Sequence, residues 1–146
     1  MRKRTKAREY TLKILYQAEM TRRQISLTAE NFWNQGDLAD RTVREFAQRL
    51  TSGVEQHLKE IDDKISLYAT NWQLKRMAVI DRNVLRIGTF ELLHTGDIPP
   101  KVSINEAVEL AKKYGDLESS KFVNGILDKI HKTEVVTSDA THGQAG

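Results

Sequence analysis

The stretch that decides the fold runs from residue 80 to residue 93 and reads Ile80-Asp81-Arg82-Asn83-Val84-Leu85-Arg86-Ile87-Gly88-Thr89-Phe90-Glu91-Leu92-Leu93. Its apolar residues recur at steps of three and four, which is the spacing of a helix. They cover a wide arc, so we predict that residues 78–95 form a central helix with neighbours on several sides. Gly88 would let one neighbour approach closely, and Gly96 with Pro99-Pro100 ends the helix.

Helical spacing continues on both sides of this stretch, and no strand alternation of useful length interrupts it. The spacing predicts further helices over residues 5–22, 28–34, 38–68 and 119–131. The third of these is too long for one ordinary helix, so we expect a break near residues 59–62 and a cap at Asp62 or Asp63. An all-α bundle of six or seven helices follows.

The clearest helix start is Ser103-Ile104-Asn105-Glu106, which has the form of a capping box. Val102 and Ala107 stand where the hydrophobic staple of such a box would stand. The pattern therefore predicts a helix that begins at Ser103 and ends at Gly115.

The charge of the chain is uneven. The first 23 residues hold eight basic and two acidic side chains, a net charge of +6, while the other 123 hold 15 basic and 18 acidic ones, a net charge of −3. A basic end on an acidic body suggests a polyanionic partner, and a merely solvated N-terminus explains such a run about equally well.

No catalytic pattern stands out among the 146 residues. Cysteine is absent, which excludes disulfides, thiolate zinc sites and cysteine nucleophiles. The four histidines form neither an H-E-x-x-H motif nor an i, i+4 pair, and no phosphate-binding glycine loop occurs. We therefore predict a protein that is not an enzyme and has no metal or cofactor. With no signal peptide and no apolar run near the ~18 residues of a membrane span, the expected location is cytoplasmic.

Two segments carry the chemistry of nucleic-acid binding. In the first helix a basic stripe with one aromatic ring lies beside the buried face; it comprises Lys3, Lys6, Tyr10, Lys13 and Gln17. At the start of the last helix, Lys121 and Phe122 follow two serines, where free N–H groups, a cation and a ring can hold a phosphate and stack a base. Phe122 also keeps helical phase with later apolar residues, so a core role is the alternative for it.

Several motifs, in their order along the chain, resemble the NusB family. They are Ile80 to Ile87 with Phe90 to Leu93, then Ile98-Pro99, Ser103 to Lys112, and Phe122 to Asp128, preceded by Arg4, Lys6, Ala7, Arg8, Leu15 and Tyr16. The resemblance covers about residues 4–130. It implies an all-α fold of two packed small helical bundles, with residues 1–132 as one RNA-binding domain. Residues 133–146 have no periodicity and are expected to form a disordered tail.

The resemblance implies a bacterial transcription antitermination factor. Such proteins bind the single-stranded boxA RNA of ribosomal-RNA transcripts, usually together with NusE, a small-subunit ribosomal protein. They join RNA polymerase and other Nus factors, and some form homodimers. Carried over by position, the family's RNA surface falls on Arg4, Lys6, Arg8, Tyr16, Glu118, Lys121, Phe122 and Asn124. The side that would face NusE falls on Arg76 and Asp81. At Lys75-Arg76 this chain is basic, whereas some relatives have acidic residues there.

Two alternatives stay open. RNA-cytosine methyltransferases carry a NusB-like domain ahead of a large cofactor-binding domain, and the 146-residue length disfavours that arrangement. A helical adaptor that binds only proteins is the second alternative, and the basic N-terminal segment argues against it.

Overall fold

The computed structural model describes residues 2–36 and 40–135 of the chain. Within these ranges it forms seven α-helices and no strand, and no helix is both long and apolar enough to cross a bilayer. The helices are α1 (Lys3–Thr21), α2 (Ile25–Asn34), α3 (Arg41–Gln56), α4 (Leu58–Tyr68), α5 (Val79–His94), α6 (Pro100–Tyr114) and α7 (Leu117–Ile130). A 3₁₀ turn (Leu74–Arg76) precedes α5, and a π-helical turn (His131–Val135) follows α7. The predicted all-α fold is confirmed.

The helices form two small bundles that meet along α5. The first bundle consists of α1, α2 and α3, the second of α4 to α7, and both α1 and α3 pack against α5. At Gly88 an added Cβ would lie 2.7 Å from Cδ1 of Leu127 and 3.4 Å from Cβ of Ala107. Glycine is therefore what lets α6 and α7 approach α5 so closely. The predicted central position of this helix is confirmed.

A buried ion pair joins the two bundles. Arg8 of α1 is 1% exposed and Glu91 of α5 is 2% exposed. The guanidinium donates two hydrogen bonds to the carboxylate, at 2.8 and 2.6 Å, and the Ser103 hydroxyl of α6 donates a third at 2.8 Å. The guanidinium carbon also lies 5.2 Å from the ring centroid of Phe46 in α3. Four helices thus meet at one charge pair, whose desolvation these contacts offset.

A second charge network fixes the segment that leads into α5. Arg82 and Arg86 both bind the carboxylate of Glu19 in α1. Arg86 also donates two hydrogen bonds to Asp62 of α4, at 2.9 and 3.0 Å. Arg82 donates to two backbone carbonyls of residues 74–77, both at 2.9 Å. The connector before α5 has no helical periodicity in its sequence. Its position is held by the hydrogen bonds that Arg82 donates to its backbone.

The predicted capping box is wrong. Helix α6 begins at Pro100, because a proline at the first helical position has a suitable fixed φ and needs no hydrogen-bond partner for a backbone N–H. Ser103 lies one turn inside the helix, where it is buried and bonds Glu91. Its spacing to Glu106 is that of a box, but Glu106 instead accepts a hydrogen bond from Thr5 of α1 at 2.7 Å.

The predicted break near residues 59–62 lies a few residues too late. The chain departs from helical geometry at His57, which ends α3 and precedes α4. Asp62 lies inside α4 and pairs with Arg86 rather than capping, and Asp63 pairs with Lys59 at 3.0 Å.

The helical chain also continues past residue 132, where the predicted tail begins. Residues 133–135 belong to the π-helical turn, in which Glu134 accepts a hydrogen bond from the Tyr68 hydroxyl and pairs with Lys64 at 2.8 Å. The rest of the predicted tail, residues 136–146, lies outside the described residues.

We expect Arg8→Met to lower the free energy of unfolding by about 3–5 kcal/mol, because it leaves the Glu91 carboxylate buried and short of its cation. The double variant Arg8→Met/Glu91→Met removes both charges and should recover most of that loss. Urea unfolding of the two variants beside the wild type measures this. A loss below about 1 kcal/mol in the single variant would show that the pair is not structural.

Candidate nucleic-acid interface

One face of α1 is open to solvent and carries cations with an aromatic ring. Lys6, Lys13 and Tyr16 lie on this face, and Tyr16 is 41% exposed. At 100° per residue, Lys6 and Tyr16 are only about 80° apart around the helix. The ammonium groups of Lys6 and Lys13 lie 5.0 and 5.8 Å from the ring centroid of Tyr10. Two residues of the predicted stripe, Lys6 and Lys13, therefore share one side of α1, where Lys13 is exposed and Lys6 is half-buried.

Tyr10, the ring of the predicted stripe, is buried. It packs edge-on against Phe32 and Trp33 of α2, with ring centroids 5.7 and 5.6 Å away. A base cannot stack on a ring that is already covered, so Tyr16 is the aromatic group that this face of α1 offers to a ligand.

Arg4 and Arg8 do not join Lys6 on this face. The Arg4 guanidinium lies 4.5 Å from the ring centroid of Phe46, on the α3 side and about 160° around the helix from Lys6. Arg8 is buried and bound to Glu91. The structure thus contradicts Arg8 as an RNA contact, because its charge is already neutralised inside the protein. Arg4 is exposed and remains a predicted contact, on a different side of α1.

A polar junction links α1 to the end of α6. Glu9 accepts hydrogen bonds from Lys113 at 3.1 and 3.2 Å and from the Tyr114 hydroxyl at 2.7 Å. Burial opposes ionisation of Glu9, but these hydrogen bonds outweigh it and hold the Glu9 pKa below its ordinary value. Burial and the neighbouring Glu9 raise the pKa of Tyr114 to about 12. The junction places the exposed face of α1 beside the loop that enters α7.

The start of α7 presents two charges and a half-buried ring. Asp116 caps the helix by accepting from the Ser119 N–H at 2.8 Å. Glu118 and Lys121 are exposed and 3.6 Å apart. Phe122 packs edge-on against Trp72, with ring centroids 5.7 Å apart and planes at 76°. Phe122 therefore has a covered side and an accessible side, which allows both a packing role and a ligand contact.

Asn124 is exposed and lies about 120° around α7 from Glu118, so it faces a different direction from the charged start of the helix. It stays a predicted contact.

A groove of about 660 Å³ brings the two predicted sites together. Its wall includes Arg76 and Asp81, the predicted partner residues, beside Glu118, Lys121 and Phe122, which are predicted RNA contacts. One carboxylate oxygen of Asp81, Oδ1, is buried and has no hydrogen-bond partner among the described residues. Such an atom costs free energy as long as it has no donor, and because it is buried a partner would have to turn the Asp81 side chain to supply one.

A family model described as the NusB family matches residues 5–132. The chain belongs to the NusB family. The transcription antitermination protein NusB of Anaeromyxobacter dehalogenans (strain 2CP-1 / ATCC BAA-258) is 48% identical over 128 residues, which are 88% of this chain and 89% of that protein.

Solved structures of NusB proteins share the fold. The structure of T. maritima NusB is 44% identical, with a TM-score of 0.82 over 89% of this chain and 91% of that one. A crystal structure of antitermination factors NusB and NusE in complex with double-stranded RNA contains a chain that is 29% identical, with a TM-score of 0.82 over 90% of this chain and 98% of that one.

Two residues of this NusB-family surface, Trp72 and Gly125, are not among the predicted site residues. Trp72 is 57% exposed and forms the edge of the groove next to Phe122. The sequence holds one indication of this role: Trp72 lies in a polar connector between helices, where it does not belong to the buried face of any helix. Gly125 lies in the middle of α7, and an added Cβ there would meet nothing within 4 Å.

Gly125 therefore has no packing reason to be glycine. In a helix interior glycine costs roughly 1 kcal/mol relative to alanine, and close approach of a ligand is a common use of the missing side chain. The residue lines a second cleft with Trp72, Lys121 and Phe122, which continues the groove along α7.

We expect Tyr114→Phe to lower the free energy of unfolding at pH 7 by about 1.5–3 kcal/mol, the usual value for one hydrogen bond to an ionised group. Because the native pKa of Glu9 is lowered, its contribution is complete above the ordinary value of 4.5 and is lost as the pH falls through the native pKa. The difference between variant and wild type should therefore shrink below pH 4.5.

Urea unfolding at several pH values measures this difference, and Tyr16→Phe, which removes an exposed hydroxyl, serves as the control. A Tyr114→Phe effect that is unchanged at pH 3 would show that the hydrogen bond does not depend on ionised Glu9.

Proposed function

We propose that this chain is a transcription antitermination factor that binds boxA-type single-stranded RNA of ribosomal-RNA transcripts together with NusE and helps RNA polymerase read through terminators. The observation that carries the proposal is the groove beside α7, which is lined by the rings of Trp72 and Phe122 and by Lys121 together with Arg76 and Asp81. The shared family supports it, since the relatives are named transcription antitermination proteins.

The exposed rings favour single-stranded RNA. Unpaired bases can splay out and stack on aromatic side chains, whereas the bases of a duplex are covered by their neighbours. Trp72, Phe122 and Tyr16 offer such ring faces or edges, and each stacked base contributes roughly 1–3 kcal/mol. Stacking on these rings would give the affinity for bases that phosphate contacts alone do not supply.

The lysines supply affinity that depends on salt. Lys6 and Lys13 on α1 and Lys121 on α7 can each neutralise a phosphate and release a counterion. On a single strand each such contact adds about −0.7 to the slope of log affinity against log salt. Arg4, Glu118 and Asn124 complete the predicted RNA contacts, with Glu118 suited to accept hydrogen bonds from base amino groups rather than to bind phosphate.

Arg76 and Asp81 would bind NusE. The buried, unpaired oxygen of Asp81 supports this role, because a donor from a protein partner would satisfy it. As the partner and RNA residues line one groove, NusE binding would extend the surface that the RNA contacts and raise RNA affinity. The full assembly would include RNA polymerase and other Nus factors, and a homodimer of the free protein would be in competition with it.

In this proposal the protein acts by assembly in the cytoplasm and carries out no reaction of its own. A protein-binding adaptor without an RNA role is the second candidate, since the Asp81 observation alone fits it as well.

Titration of boxA-type RNA and a scrambled strand at several salt concentrations, with and without NusE, tests the proposal by fluorescence anisotropy. We expect a preference for the boxA strand that grows when NusE is present. No preference with NusE would overturn the antitermination proposal, and NusE binding without any RNA binding would establish the adaptor.

Charge-reversal variants distinguish specific phosphate contacts on the proposed RNA surface from a general effect of net charge. Lys6→Glu and Lys121→Glu should each weaken RNA binding and reduce the salt slope by about 0.7, because each removes one phosphate contact. Lys59→Glu makes the same charge change on α4, away from the groove, and should leave the slope unchanged. Equal effects of all three variants would mean that only net charge matters.

Gly125→Ala should stabilise the protein by up to about 1 kcal/mol and still weaken RNA binding, because the added methyl group occupies the path of the RNA along α7. Thermal unfolding and RNA titration measure the two effects. Ser52→Ala, at an exposed position of α3, should stabilise slightly and leave RNA binding unchanged. RNA affinity that survives Gly125→Ala would place the RNA elsewhere.

A further inference from the structure

Three potential metal ligands meet at the C-terminal end of α5. His57 lies between α3 and α4, Glu60 in the first turn of α4, and His94 at the end of α5. One ligand atom from each lies within 4.8 Å of the other two. Nε2 of His94 is 2.5 Å from Oε1 of Glu60, and Nδ1 of His57 is 3.7 Å from the same oxygen.

The two imidazoles are held against an apolar wall. Their rings stack with centroids 3.9 Å apart and planes at 16°, and the ring of Phe90 lies 6.2 Å from His57 and 5.8 Å from His94. Phe90 occupies this place because Gly53 of α3 has no side chain, since a Cβ there would lie 2.0 Å from the ring. The wall orders the two imidazoles on one side.

The other side of the cluster is open to solvent. The exposed fractions of the side chains are 34% for His57, 28% for His94 and 48% for Glu60. These exposures leave the cluster accessible to an ion from solvent, and the two near-parallel rings would have to rotate for their nitrogen lone pairs to meet at one point.

Two imidazole nitrogens and one carboxylate oxygen are a donor set that zinc binds well. At the usual bond lengths of about 2.0–2.2 Å, donors around a tetrahedral ion lie about 3.3 Å apart. The present separations from the Glu60 oxygen, 2.5 and 3.7 Å, bracket that value. Small side-chain rotations would bring the three donors to the distances that zinc requires.

We propose that His57, Glu60 and His94 form a zinc(II) site with three protein ligands and a fourth position open to water. The bound ion would tie the α3–α4 junction to the end of α5, where the two bundles meet. The site lies about 20 Å along α5 from Asp81, since 13 residues separate His94 from it. It is therefore distinct from the groove, and it would stabilise the fold without occupying the RNA surface.

Isothermal titration of tag-free, chelator-treated full-length protein with ZnCl₂ tests the site. We expect one saturable ion per chain, a melting temperature that rises with zinc concentration, and a tetrahedral visible spectrum when Co²⁺ replaces zinc. His57→Gln and His94→Gln should each weaken zinc binding at least tenfold, and Glu60→Gln should weaken it as well. Circular dichroism establishes that each variant is folded.

The double variant His131→Gln/His142→Gln removes the other two histidines of the chain and is the matched control, which should bind zinc like the wild type. Absence of saturable binding would overturn the proposal. Binding that persists in both the His57 and His94 variants, or that is lost in the control, would equally overturn it, because the ion would then bind elsewhere.

Discussion

The ion pair between Arg8 and Glu91 is the constraint on which the rest of the structure depends. Both charges are buried, so each must keep its partner or leave a group whose desolvation nothing offsets. This requirement fixes α1 against α5 both along and around its axis. Because Arg8 points inward, Lys6 and Lys13, about 160° and 140° around the helix from it, point outward, and Tyr16 lies about 80° from Arg8 at the edge of the same face. The proposed RNA-binding surface of α1 would thus be a consequence of a buried contact.

The same logic operates at the other end of α1. Glu19 binds Arg82 and Arg86, and Arg82 in turn holds the carbonyls of residues 74–77. That segment contains Arg76 and begins two residues after Trp72. Both residues line the groove, so this charge network helps to position them. In the proposed function the basic N-terminal segment would contribute its lysines to the RNA surface, and its buried charges orient the helices around the groove.

The groove brings together the residues proposed to bind RNA and those proposed to bind a partner protein. The sequence assigns Arg76 and Asp81 to a protein partner and the start of α7 to RNA, as if the two were separate. The structure places them around one groove, and Oδ1 of Asp81 is buried there without a hydrogen-bond partner among the described residues. In the proposed assembly, a partner that satisfies this oxygen would also change the surface available to the RNA, which is the physical basis for coupling between them.

More of the fold than of the candidate site could be predicted from the sequence. The central position of α5, the role of Gly88 and the all-α class follow from the spacing of apolar residues alone, since burial of one helix face is a local pattern. The helix starts at Pro100 and Leu117 and the break at His57 depend on which side chains find tertiary partners. Ser103 has the local form of a cap, yet the buried carboxylate of Glu91 takes its hydroxyl instead.

The order of residues along the chain is enough to predict the helices, the division of charge between the N-terminal segment and the rest, and the family to which the motifs point. The partner and the burial of each charged side chain become known from the packing of the helices. Helical spacing identifies which residues share a face, but it does not identify which faces are covered by other helices. In the folded protein Arg8 is buried as part of an ion pair, and Trp72 is exposed beside Phe122. The packing of the helices also brings His57 and His94, 37 positions apart in the sequence, into stacked contact beside Glu60.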